Sequence, residues 1–253
     1  MLTQQTQEKL NWMRLTVMSK EFRRQSEDVG NSQLTFDERF GMLVDAEWTA
    51  RQNKHLERLF QKAGMRQHAC LEDLDYSYDR GLKRETIQQL STCAWIRDGH
   101  NLLVTGPAGT GKSYVACALG NCACRQQLKV RYHRVNRLLT DLAIARGDGS
   151  YNKTMEELKK TQLLILDDWG MAPLDATAGR DLLEVIEDRC QERSTVIVSQ
   201  LPVAKWHPLF ADVTVGDAVL DRLIHDAHRI HLAGESMRLL RSRKGGARDD
   251  MTE

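Results

Sequence analysis

The sequence predicts an α/β fold with a parallel sheet, preceded by a small all-α N-terminal domain, on the strength of three observations. Short apolar runs that suit fully buried strands alternate with helical stretches: Leu102 to Val104, Leu128 to His133, Thr161 to Asp168, Thr195 to Ser199 and Arg229 to Leu232. These five runs read as five strands. The first run enters a glycine-rich loop that opens a helix, an order that βα units use to seat phosphates. Upstream, residues 1–68 show helical spacing and no strand pattern.

Composition narrows the partners. The 253 residues carry 36 Lys+Arg against 35 Asp+Glu, a formal net charge of +1, so any nucleic acid must be held by local basic patches rather than by a global positive field. The six cysteines include no C-x-x-C and read as small core residues of a reducing compartment. The N-terminal stretch is too polar for a secretory signal, and no apolar run is long enough to span a bilayer. A cytoplasmic protein with no membrane partner is expected.

In chain order, Leu10, Met13, Val17 and Phe22 keep a three-to-four spacing. After a break at Asp28 to Gln33, Thr35 and Glu38 form a T-x-x-E capping box that opens a long second helix. Its first half is expected to bury Phe36, Phe40, Leu43 and Trp48. Its second half sets Leu56, Leu59 and Phe60 against a basic row, Arg51, Lys54, Arg58 and Lys62, which suits a solvated face as well as contact with nucleic acid or an acidic partner. Gly64 to Leu71 reads as a hinge into a nucleotide domain over 69–240, with 241–253 as a mobile tail. Leu74 to Tyr78 is expected to be extended, and Lys83 to Ile96 one helix. Further helices are expected at 112–127, from Asn136, at 154–160, at 176–191 and at 217–225, with Gly147 to Ser150 as a turn.

The glycine-rich loop carries the first chemistry. Gly106, Pro107, Ala108, Gly109, Thr110, Gly111, Lys112 and Ser113 fit G-x-x-x-x-G-K-[ST] at every defined position, and Tyr114 follows on the helix. Backbone N–H groups of such a loop converge on phosphate oxygens, and the helix adds the positive end of its dipole. Lys112 would reach the outer phosphates of ATP, and the Ser113 hydroxyl would ligate Mg²⁺. The second landmark is the carboxylate pair Asp167 and Asp168 at the end of a buried strand, where ligands bind in open parallel sheets. Asp167 would hold Mg²⁺, directly or through water, and Asp168 would orient or deprotonate the attacking water. A polar side chain at the end of the fourth strand would lie beside the terminal phosphate, and Gln200 stands there, although by itself it reads equally as an ordinary loop residue. His225, His228 and His231 recur every three residues, but a change from helix to strand would separate them and no other ligands complete a metal set.

With these landmarks placed, the chain resembles the IstB/DnaC-like branch of AAA+ P-loop ATPases, and most closely the IstB helper ATPases of insertion sequences. The resemblance rests on Leu34 to Arg39, Asp45 to Arg51, the phosphate loop, the Leu163 to Gly170 stretch, Val198 to Pro202, Ala218 to Leu223 and Gly234 to Arg238. It implies a sheet of five parallel strands with helices on both faces and ATP at the strands' C-terminal edge, and that Gln200 is a polar sensor, Arg222 an arginine finger given to a neighbouring subunit's ATP, and Arg238 a second sensor. It also implies a homo-oligomer that assembles with ATP on double-stranded DNA and recruits a transposase. Two features depart from the pattern: Asp168 stands where many AAA+ proteins carry Glu, and the chain after Arg238 leaves little room for a helical lid.

A DnaC-like helicase loader would share every ATPase residue and differ in favouring single strands, whereas a scaffold that binds ATP without useful hydrolysis would show slow turnover indifferent to DNA. A small-molecule kinase would need an acceptor-binding lid, which nothing after Asp168 resembles. Duplex contact is expected from Arg146, Tyr151 and Lys153, because in related initiator-type ATPases the region between the second and third strands faces the nucleic acid.

Overall fold

The structure is a computed structural model and describes residues 2–28, 33–237 and 239–240. Its chain divides into two compact units, Met1–Arg58 and Leu59–Glu253. The first holds α1 (Leu2–Trp12), α2 (Thr16–Glu27) and most of α3, which runs from Phe36 to Ala63. The capping box forms in both directions: the Glu38 N–H donates to Thr35 Oγ1 at 3.3 Å, and the Thr35 N–H donates to Glu38 Oε2 at 2.8 Å.

Helix α2 has no side-chain cap of its own at Leu15. Glu47 of α3 supplies one, its Oε2 accepting from the Val17 and Met18 N–H groups at 2.9 and 3.0 Å. Arg51 grips Glu47 Oε1 at 2.8 Å and the Arg14 carbonyl at 3.0 Å. Glu47 and Arg51 of the Asp45 to Arg51 stretch therefore have a structural reason. A buried carboxylate that satisfies two orphan N–H groups at a helix start contributes as an N-cap does, so Glu47→Ala is expected to cost about 1–2 kcal/mol, read by denaturant melting of the helical signal. The expected burial of Phe36, Phe40 and Trp48 does not hold: Leu43 is buried, while those three are exposed, Phe36 and Phe40 stacked on each other at 5.8 Å between centroids. Helical spacing marks an apolar face and does not say what covers it.

The second unit is a five-stranded sheet in the order β2-β3-β4-β1-β5, parallel throughout: β1 Leu102–Thr105, β2 Val130–Arg134, β3 Leu163–Trp169, β4 Ser194–Ser199 and β5 His228–His231. The β1 residues Leu102 to Val104, Leu163 to Leu166 of β3 and Val196 to Val198 of β4 have essentially no exposure, which is why these strands read as continuous apolar runs rather than alternating ones. Between them lie α6 (Lys112–Arg125), α7 (Val135–Asp148), α8 (Tyr151–Lys159), α9 (Ala176–Glu187) and α10 (Val213–Ile224). Helices α7, α9 and α10 bury Leu138, Leu142, Leu182, Ile186, Val219 and Leu223 in one core with Trp169, Trp206 and Phe210.

Three local expectations are corrected. Lys83 to Ile96 is two helices, α4 (Arg84–Ser91) and α5 (Ala94–Arg97), because Cys93 takes a left-handed φ of 55° between them. Leu74 to Tyr78 does not stay extended: it belongs to no strand and bends at Ser77 and Tyr78, with Asp75 Oδ1 accepting from the Ser77 N–H at 2.9 Å in an Asx turn. Gly147 continues α7, and Gly149 ends it with a φ of 79°. The six cysteines are free; Cys93, Cys117 and Cys124 are buried, and burial pushes the Cys117 thiol up to about 11.

Candidate nucleotide site

Parallel strands put the loops that follow them on one edge, and this strand order places those after β3, β4 and β1 side by side. They border a half-open cavity of about 290 Å³. Ala108, Gly109, Gly111, Lys112, Ser113 and Tyr114 line it from the phosphate loop. Asp167 and Asp168 line it from β3, and Gln200 from the end of β4, between the other two loops. Gly106, Pro107 and Thr110 form the base of the loop: the Pro107 carbonyl accepts from Lys112 Nζ at 2.7 Å and from Thr110 Oγ1 at 2.9 Å. Gly106 can be nothing larger, since with φ at 144° a Cβ would sit 2.0 Å from the Leu232 carbonyl oxygen. Gly111, the N-cap of α6, has a φ of 95° and leaves the helix start without a side-chain cap.

Consecutive residues of a strand point to opposite faces, yet Asp167 and Asp168 reach one cavity. The register against β4 is irregular between Leu166 and Trp169, and Asp168 sits within it at a left-handed φ of 59°. Such a bulge re-aims a side chain, and aspartate is among the few residues that tolerate that backbone. Asp167 is almost wholly buried, with Oδ1 accepting from the Asp168 N–H at 2.7 Å and Oδ2 from the Tyr132 hydroxyl at 2.6 Å. Two guanidinium groups face the pair. Arg66 lies 3.9 Å from Asp167 and 3.8 Å from Asp168, and Arg134 lies 3.5 Å from Asp168.

The Gly64 to Leu71 stretch, expected as a hinge, is therefore part of the site. Its Ala69 packs on Cys117 and Ala118 of α6, and the Ala69 carbonyl accepts from Asn121 Nδ2 at 2.7 Å. A further arginine, Arg80, is nearly buried, lines the same cavity, and donates to the Thr110 carbonyl at 2.8 Å and the Asp75 carbonyl at 2.9 Å. Sequence reasoning missed Arg66, Arg80, Tyr132 and Arg134. The only hint was the polar end of β2, Arg131 to Arg134, on a strand that borders the acid pair.

The cavity fits a nucleoside triphosphate with a divalent cation on this structure's own terms. A buried ammonium rests on a loop carbonyl that a phosphate could replace, an uncapped helix start faces in, and two carboxylates stand opposite. The family model of the IstB-like ATP binding protein matches residues 8–245. The chain belongs to that family. It is 47% identical over 244 residues to an insertion sequence ATP-binding protein of Sinorhizobium fredii, covering 96% of this chain and 100% of the relative. It is 48% identical over 203 residues to the IS1162 insertion sequence ATP-binding protein of Pseudomonas fluorescens, covering 80% and 88%. Among solved structures it resembles the DnaC helicase loader, with a TM-score of 0.54 and 19% identity over 69% of this chain and 98% of that one. AMPPCP-bound DnaA from Aquifex aeolicus matches with a TM-score of 0.55 and 17% identity over 67% and 51%. The fold is thus that of AAA+ P-loop proteins, and the family is an ATP-binding one.

In this IstB-like chain the remaining expected residues lie apart from the cavity or beyond description. Arg222 donates to the Ala218 carbonyl at 2.9 Å and to Glu187 at 2.8 Å, and does not line the cavity. Arg238 and the 241–253 tail lie outside the described residues. Arg146 is paired with the buried Asp181 and lies 3.9 Å over the Tyr151 ring, whose hydroxyl donates to Glu184 at 2.7 Å; Lys153 is exposed. His225 pairs with Asp226, His228 packs against His100 and Trp95, and His231 meets Thr105, so the three have different neighbours. Among the described residues no helix is long and apolar enough to cross a membrane.

Proposed function

We propose that the protein is a Mg²⁺-dependent ATPase that assembles on duplex DNA, with ATP sites shared between subunits, and there recruits or regulates a transposase. The convergence of the phosphate loop, the acid pair and Gln200 on one cavity supports the ATPase part. Membership of a family whose relatives are insertion sequence proteins supports the transposition part. Lys112 and the α6 start hold the outer phosphates, while Ser113 and Asp167 hold Mg²⁺, which neutralises phosphate charge when bound. Asp168 orients the attacking water and accepts its proton, and Gln200 donates to the terminal phosphate. To do this, Asp168 must turn from Arg66 and Arg134, so basal turnover is slow until assembly rearranges them.

DNA is held through exposed cations of the α7–α8 region, Lys153 foremost. Arg146 is half-committed to Asp181, and reversing its charge would leave that buried carboxylate opposed, so a neutral change is the cleaner probe. Lys153→Glu with Arg146→Gln is expected to weaken ATP-dependent DNA binding and lower the logarithmic salt slope by about 0.9 per lost phosphate contact, without altering ATP binding. An unchanged slope, with loss instead on changing Lys54 and Arg58, would move the contact to α3. The whole reading is tested by binding to matched single- and double-stranded DNA with ATP, ADP and no nucleotide, recording particle mass. Preference for single strands would favour the helicase-loader alternative.

A further inference from the structure

We propose that Tyr132 is a positioning residue that presets the metal-facing carboxylate of Asp167, a role that rests on the ATPase reading of this site and deepens it. The argument begins with the lone pairs. A carboxylate has about four acceptor positions, two on each oxygen. In Asp167 one position on Oδ1 is taken by the Asp168 N–H at 2.7 Å and one on Oδ2 by the Tyr132 hydroxyl at 2.6 Å. Held from both oxygens, the carboxylate cannot rotate, and each oxygen keeps an acceptor position for Mg²⁺ or its water.

Tyr132 is itself fixed. It sits on β2, whose register pairs Tyr132 with Ile165 and Arg134 with Asp167, and its ring packs on the Ala69, Cys117 and Ala118 cluster. An ionised carboxylate only accepts, so in this 2.6 Å contact the phenol hydroxyl is the donor. Arg66 reaches the same Oδ2 at 3.9 Å, through a segment anchored at Ala69. The phenol thus links the segment that follows α3 to the metal-facing group. Partners of this kind, one bond removed from a metal, typically change metal affinity by about 10- to 100-fold when lost.

The test separates metal from nucleotide. Fluorescent ATP binding to the full chain is measured in EDTA and then through a Mg²⁺ titration, for the wild type, Tyr132→Phe and Asp167→Asn. Tyr132→Phe keeps the ring and its packing, so a merely structural tyrosine would be fully replaced by it. The expected result is unchanged affinity in EDTA and a Mg²⁺ half-point raised by about 10-fold in Tyr132→Phe. A half-point within about twofold of wild type, or an equal loss in EDTA, overturns the proposal. Asp167→Asn guards the premise: if it leaves the Mg²⁺ titration unmoved, the metal role of Asp167 fails, and the role of Tyr132 falls with it. If only Asp167→Asn moves the titration, the ATPase reading stands and Tyr132 alone is overturned.

Discussion

Lys112→Ala is expected to abolish tight ATP binding, while Asp168→Asn leaves binding and slows hydrolysis. The Lys112 ammonium is nearly buried and rests on the Pro107 carbonyl at 2.7 Å, so it moves from one acceptor to the phosphates with little new desolvation. Hydrogen bonds to charged groups contribute about 1.5–3 kcal/mol each, and two bridged phosphates therefore account for about 100-fold or more in affinity. The loop should keep its shape in the variant, because Thr110 Oγ1 still donates to the same carbonyl at 2.9 Å. Asp168 stands across the cavity with two guanidinium groups near it, and Asn keeps its size while removing the base. Equilibrium nucleotide binding and steady-state phosphate release check both. Equal loss of binding in the two variants would contradict the division of roles.

What could be read in the sequence was what neighbours along the chain decide. The phosphate loop is one strand, one turn and one helix start, and the Thr35–Glu38 box is closed within a single turn, so local spacing carried both. The acid pair was legible as a pair, but not that both face one cavity, since that needs the bulge at Asp168. Arg66, Tyr132 and Arg134 escaped for a different reason. They meet Asp167 and Asp168 only because β2 pairs with β3 and because residues 65–71 pack back on α6. No local pattern encodes either pairing. Exposure of Phe36, Phe40 and Trp48 went unforeseen because an apolar stripe looks alike whether the chain covers it or leaves it open.

Arg222→Ala is expected to cut hydrolysis by about 10³ to 10⁵ while leaving nucleotide binding by isolated subunits intact, as loss of an arginine finger does in other phosphoryl-transfer sites. The fold sets this arginine apart from its own chain's phosphate loop, so a finger role would have to be played in a neighbour's site. It lies in the last turn of α10, and its backbone carbonyl accepts from Asn101 Nδ2 at 3.0 Å, just before β1 begins. Its own phosphate loop follows the other end of β1, and a strand of four residues spans about 13 Å. Within one chain Arg222 is therefore at the wrong end of the sheet for its own ATP. The Glu187 pairing that holds it at 2.8 Å is partly exposed, and such pairs contribute about 0–1 kcal/mol, so a neighbour's phosphates can draw the guanidinium away. Mixing Arg222→Ala with Lys112→Ala decides the matter: the first supplies an intact phosphate loop and the second an intact arginine, and a shared site recovers turnover. No recovery where subunits demonstrably exchange would return Arg222 to the surface pair in which the fold holds it.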